Sequence, residues 1–130
     1  MNIRKFLSTL ASGALLLSMG CSSNAASSVT LEQARDALQQ STSVVIDIRE
    51  PSEHATGVAK GMLLIPMSQL GKRMSELPQP GAQPLLIVCN TQNRSPRVVE
   101  QLKGAGYTNV RFVEGGMSQW TARGWPLVKP

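Results

Sequence analysis

The segment Leu85-Leu86-Ile87-Val88 sets four apolar residues in a row. A strand sends successive side chains to opposite faces, so a strand of this kind needs an apolar cover on both sides. Val44-Val45-Ile46, Met62 to Ile65 (stopped by Pro66) and Val110 to Val113 read as further strands. Helical spacing fills the intervals. Thr30 can cap a helix with Gln33 as its box partner, and Leu31, Ala34 and Leu38 share one face. Pro51-Ser52-Glu53-His54 starts a short helical turn. Ser68 can cap a helix through Leu77, with Leu70, Met74 and Leu77 inward. Ser95 as N-cap and Pro96 at the first helical position open another helix, which Gly104 and Gly106 end. Gly115-Gly116 turns the chain into a last helix, Met117 to Arg123. Buried strands alternating with helices predict an α/β domain with a parallel sheet covered on both faces.

The first residues follow a different pattern. Arg4 and Lys5 precede the apolar run Phe6 to Met19, and small residues come after, the layout of an export signal. The run falls short of the roughly 20 residues of a membrane-spanning helix. Ser23-Asn24-Ala25 offers a cut before Ala26, which makes residues 1–25 a leader and 26–130 a single domain. Gly20-Cys21 offers a lipoprotein-type cut instead, with lipid on Cys21 as the only membrane attachment. Both place the protein outside the cytoplasm, in the periplasm, and Ser22 to Ser28 reads as leader or tether. The 130 residues less a 25-residue leader leave 105, enough to bury roughly 60–65% of the unfolded surface without staples. Less Arg4 and Lys5, the formal net charge of +5 becomes +3. The remaining cations are scattered and form no stripe with interleaved aromatics, which argues against nucleic acid as a partner.

Of the two cysteines, a cut before Ala26 leaves only Cys89. An unpaired thiol in an oxidising compartment is a liability unless it is buried or useful. A small buried hydrophobe is one reading. Its position weighs against that one: Cys89 ends the apolar strand and is followed by Asn90, Thr91, Gln92, Asn93, Arg94 and Ser95, a polar loop leading into a helix. The thiolate is the reactive form, and a hundredfold preference for the anion is worth about 2.7 kcal/mol. A helix N-terminus supplies ~0.3–1 kcal/mol, up to ~2. Loop amides converging as a nest must therefore share the work, with the Arg94 guanidinium adding to it.

From about Thr30 to Val128 the chain resembles a single-domain rhodanese, a sulfurtransferase. The resemblance rests on Asp47-Ile48-Arg49-Glu50-Pro51 with Glu53, Gly57 and Gly61; on Ile65-Pro66; on the loop Cys89 to Ser95; and on Gly115-Gly116 with Trp120, Gly124 and Pro126. It implies a mostly parallel sheet of about five strands with helices on both faces. It also implies that Cys89 takes the outer sulfur of a small anionic donor such as thiosulfate as a persulfide. A thiol or cyanide then removes that sulfur. Asn90, Thr91, Gln92, Asn93, Arg94 and Ser95 would bind the donor, with Asp47 and Arg49 in support, no cofactor, and a monomeric protein. Gln92 stands where the family often has Gly, which predicts a different loop path or a crowded pocket mouth. Val58 and Lys60 replace a common His and Pro.

Other residues have plainer readings. Asp47 can accept loop N–H bonds, Arg49 can pair with Glu53, and His54 in a polar turn faces solvent. With one histidine and one mature cysteine, a protein-built zinc site is not expected. Trp120 and Trp125 read as packing residues, and Met62, Met67, Met74 and Met117 as core filler. Four residues between Cys89 and Arg94, rather than five, disfavour a phosphatase or arsenate reductase. The absence of a Cys-x-x-Cys pair weakens a thiol–disulfide oxidoreductase. The remaining rival is a non-catalytic binding or sulfur-carrier module using the same pocket.

Overall fold

The structure, a computed structural model, describes residues 27–130; the leader, its cleavage sites and Cys21 lie outside the described residues. In chain order the elements are β1 (Ser28–Val29), α1 (Leu31–Gln40), β2 (Val44–Asp47), α2 (Pro51–His54) and β3 (Leu63–Leu64). A 3-10 segment (Met67–Glu76), β4 (Leu85–Val88), α3 (Ser95–Gly104), β5 (Val110–Val113) and α4 (Gly116–Ala122) follow. The five strands form one sheet in the order β1-β5-β4-β2-β3, with every pairing parallel. The protein is thus the α/β fold that its apolar runs demand.

Alternation along the central strands divides the core in two. Ile46, Leu85, Ile87 and Val110 join Val98, Val99 and Leu102 of α3 and Leu70 and Leu77 of the 3-10 region. Val45, Leu86, Val88 and Val113 join Leu31 and Ala34 of α1 and Met117 and Trp120 of α4. All four residues of β4 are buried, as its unbroken apolar run requires. The α1 capping box forms as expected: the Gln33 amide donates to Thr30 Oγ1 at 3.2 Å and the Thr30 amide to Gln33 Oε1 at 2.9 Å.

Some boundaries differ from the sequence reading. Ser28 is not tether: Ser28 and Val29 pair with Phe112 and Val113, adding an edge strand too short to show a period. The helix expected from Ser68 is a run of 3-10 turns, broken at Arg73 (φ −113°, ψ 16°). Ser68 does not cap it; its hydroxyl donates to Glu50 Oε2 at 2.7 Å. Gly71, which costs about 1 kcal/mol in an α-helix interior, further weakens a regular helix there.

Candidate active site

Strand order places the site. From β2 the chain passes outward to β3, whereas from β4 it passes the other way to β5. The connections leaving the C-terminal ends of β2 and β4 therefore diverge, and a crevice opens between them, the usual ligand position in open α/β sheets. Asp47 and Val88 are register partners at these ends, and the Ile48 amide donates to the Val88 carbonyl at 2.9 Å. Cys89 is the next residue after Val88.

Cys89 is 0% exposed and joins the apolar cluster beneath α3. Its burial departs from what the polar loop after it suggested, because Asn90 to Asn93 lie over it with exposed side chains. The sulfur still has a polar neighbour: Sγ donates to Ser95 Oγ at 3.4 Å, and both residues are fully buried. When the sulfur is ionised the same pair can reverse, with the hydroxyl donating to the anion.

The loop is seamed to α4. The Met117 amide donates to the Cys89 carbonyl and the Ser118 amide to the Asn90 carbonyl, both at 2.8 Å. Gly116, the first residue of α4, has φ +61°, and a Cβ there would collide with the carbonyl oxygens of Cys89, Asn90 and Thr91. A trans peptide points its C=O and the next N–H in opposite directions. Carbonyls 89 to 91 turned to α4 therefore leave the amides of Asn90, Thr91 and Gln92 facing away from it. Among the described residues, no backbone carbonyl or side chain accepts from these amides. Gln92 needs no left-handed backbone, since Ser41 is the positive-φ non-glycine residue among those described. Its Oε1 accepts from the Gly115 amide at 3.0 Å, closing the seam at the loop tip.

Arg94 and Ser95 exchange the roles expected of them. Arg94 occupies the N-cap of α3 without a side-chain cap bond, and Ser95 is already helical. A buried Ser95 hydroxyl engaged with sulfur is not available as a cap. The Arg94 guanidinium donates through Nη1 and Nη2 to the two carboxylate oxygens of Glu53, each at 2.7 Å. These bonds, with smaller contributions from the Glu50 amide and the charges of Arg94 and Arg49, hold Glu53 down at about 2 against the opposing effect of burial. Arg94 is pushed up, first by Glu53, with lesser additions from the charges of Cys89 and Glu50.

Asp47 and Arg49 form a buried brace behind the crevice. Arg49 donates to Asp47 Oδ2 through Nη2 at 2.8 Å, to Oδ1 through Nε at 3.0 Å, and to the Gly57 carbonyl at 2.9 Å. Its contact with Glu53 is to the main-chain carbonyl, at 3.4 Å, not to the carboxylate. His54 is buried rather than facing solvent, with Nε2 3.4 Å from Asp47 Oδ1. Sequence reasoning missed Glu53 as the partner of Arg94. Their separation of 41 positions left no local signal.

Residues 30–123 match the family model for the Rhodanese-like domain. The chain belongs to the rhodanese-like family. It is 34% identical to a sulfurtransferase of Allochromatium vinosum over 87 residues, 67% of this chain and 79% of that protein. It is also 34% identical to an uncharacterized protein of Synechocystis over 100 residues, 77% of this chain but only 53% of the relative's length. A rhodanese-related protein from Thermoplasma volcanium superposes with TM-score 0.69 and 29% identity, covering 79% of this chain and 98% of its own. The human single-domain sulfurtransferase TSTD1 shares the fold at TM-score 0.65 and 24% identity, over 75% of this chain and 97% of its own. In this rhodanese-like protein the loop from Cys89 to Ser95 follows the C-terminal end of β4, at the crevice between β2 and β4.

Proposed function

We propose that this protein is a sulfurtransferase that works through Cys89. The thiolate attacks the outer sulfur of a small anionic donor such as thiosulfate. A sulfur–sulfur bond forms at Cys89, the donor's own S–S bond breaks, and sulfite leaves with the electron pair. A thiolate or cyanide then attacks the outer persulfide sulfur, takes it away, and returns Cys89 as thiolate. The observation that carries the reading is the pairing of Cys89 Sγ with the buried Ser95 hydroxyl at 3.4 Å, under a loop whose carbonyls turn to α4. The turned-away amides of Asn90, Thr91 and Gln92 supply donors for anionic sulfur, as in a backbone nest. Asn93 lines the same loop, Arg94 is held beside it by Glu53, and Asp47 and Arg49 brace it. Thiosulfate as donor, a thiol or cyanide as acceptor, a monomeric state and export to the periplasm, with or without lipid on Cys21, belong to the same proposal.

Intact-mass measurement after incubation with thiosulfate tests it. The wild type should become heavier by one sulfur atom, and cyanide or a thiol should remove that atom with turnover. Cys89→Ser should retain the fold and gain no sulfur; undiminished transfer by that variant refutes the assignment. The complete burial of Cys89 favours a second reading, a sulfur carrier or binding module. A persulfide that forms but is not discharged to small acceptors would select it.

A further inference from the structure

A cavity of about 220 Å³ lies away from the Cys89 loop, between α1, the Lys60 turn and the segment after α4. Leu38, Gln39, Trp120 and Pro126 line it, together with two cations, Arg35 and Lys60. α1 and α4 both begin near the C-terminal edge of the sheet and run back across it. Leu38 and Gln39, near the end of α1, and Pro126, beyond α4, therefore set the cavity toward the opposite edge from Cys89.

Its chemistry is one-sided. No carboxylate lines the cavity, and among the described residues neither Arg35 nor Lys60 enters an ion pair. Residues 1–26 contain no Asp or Glu that could supply one. The Arg35 guanidinium lies 4.2 Å from the centre of the Trp125 ring. That ring meets Trp120 edge-on with centroids 4.9 Å apart. The guanidinium carbon thus sits over the face of the ring, and Arg35 Nε is buried with no acceptor among the described residues. A buried N–H donor without a partner is uncommon and is ordinarily satisfied by some acceptor. A guanidinium is the group best suited to a planar carboxylate. Trp120, Leu38 and Pro126 offer an apolar surface beside it. A dry cavity of about 150 Å³ is known to take a benzene molecule, so this one has room for a ring and its charged substituent.

We propose that this cavity is a second ligand site, separate from the sulfur chemistry, that takes a small aromatic carboxylate. The ring lies against Trp120 and Leu38, and the carboxylate accepts from Arg35, with Lys60 supplying the second positive charge. Nothing in the inference depends on Cys89 or on sulfur transfer.

Trp120 and Trp125 are the two tryptophans of the chain; Trp120 lines the cavity and Trp125 lies against Arg35, so intrinsic fluorescence reports on it directly. Titrating the full-length protein with benzoate should give a saturable change in tryptophan emission. Benzyl alcohol, the same ring without charge, should give none over the same range. Lys60→Gln, at an exposed position, should weaken benzoate binding several-fold. Arg35→Gln should weaken it by about tenfold or more, the value of a charge-assisted hydrogen bond. Cys89→Ser should bind benzoate as the wild type does. The proposal is overturned by an absence of saturation, by benzyl alcohol binding as well as benzoate, or by Lys60→Gln binding unchanged. Loss of binding in Cys89→Ser would place the ligand at the sulfur site instead and equally overturn it.

Discussion

Glu53 is the residue whose titration most directly reports on the loop's far end. Its ordinary value of 4.5 falls to about 2 in the fold, chiefly through the hydrogen bonds from Arg94. A carboxylate held low contributes stability that is fully present above its unfolded value and is lost as pH falls through its folded one. The window here is about 4.5 down to about 2. Both side chains are close to one-third exposed, so screening trims the contribution. Urea denaturation across a pH series should find Glu53→Gln less stable than wild type at pH 7, with the gap closing through that window. A gap that stays constant would mean that Glu53 acts by packing rather than by charge. Within the proposed chemistry, Glu53 positions Arg94 and touches no reacting atom.

At the scale of elements, the decisive joint is the seam between the Cys89 loop and α4. Gly116→Ala places a methyl against backbone carbonyls that cannot rotate away, at a left-handed φ besides. We expect a loss of at least about 2 kcal/mol in denaturation experiments. Gly104→Ala meets nothing within 4 Å and should be neutral or stabilise by up to about 1 kcal/mol. Gln92 acts on the same joint from the loop tip. Cys89 is wholly covered, so reagents reach it through local opening. Gln92→Met keeps the bulk but removes the acceptor for the Gly115 amide, and one net hydrogen bond is worth about 1 kcal/mol. Iodoacetamide should therefore alkylate Cys89 roughly fivefold faster in this variant. An unchanged rate would show that the Gln92 bond does not hold the loop shut.

At the scale of the whole molecule, two apolar layers on one parallel sheet carry the fold, and β4 touches both. Leu86, 2% exposed and facing α1 and α4, should cost about 2–5 kcal/mol when cut to Ala. Gln101→Ala, on the exposed side of α3, should stay within about 0.5 kcal/mol of wild type. Similar losses for the two would mean that the layers are not where the stability lies. The layers also keep the crevice between β2 and β4 rigid, which is what a loop presenting one sulfur atom requires of its scaffold.

Periodicity and punctuation made the frame legible before any coordinates. Unbroken apolar runs announced strands buried on two sides, the Thr30 and Gln33 spacing announced a helix start, and the Cys89 loop stood out as polar residues after a buried strand. These are local signals, readable because neighbours in sequence are neighbours in an element. Ser28–Val29 was too short to show a period, and the Ser68 hydroxyl was claimed by Glu50 from another element, so those assignments failed. The same limit governed the site. The loop's residues could be named from the chain, but burial of Cys89 and His54, the Ser95 hydroxyl on sulfur and the Glu53–Arg94 pair are meetings of distant segments. Only packing decides them, because a side chain's partner is set by which strands lie side by side. The order β1-β5-β4-β2-β3 is a property of the folded sheet rather than of any stretch of sequence.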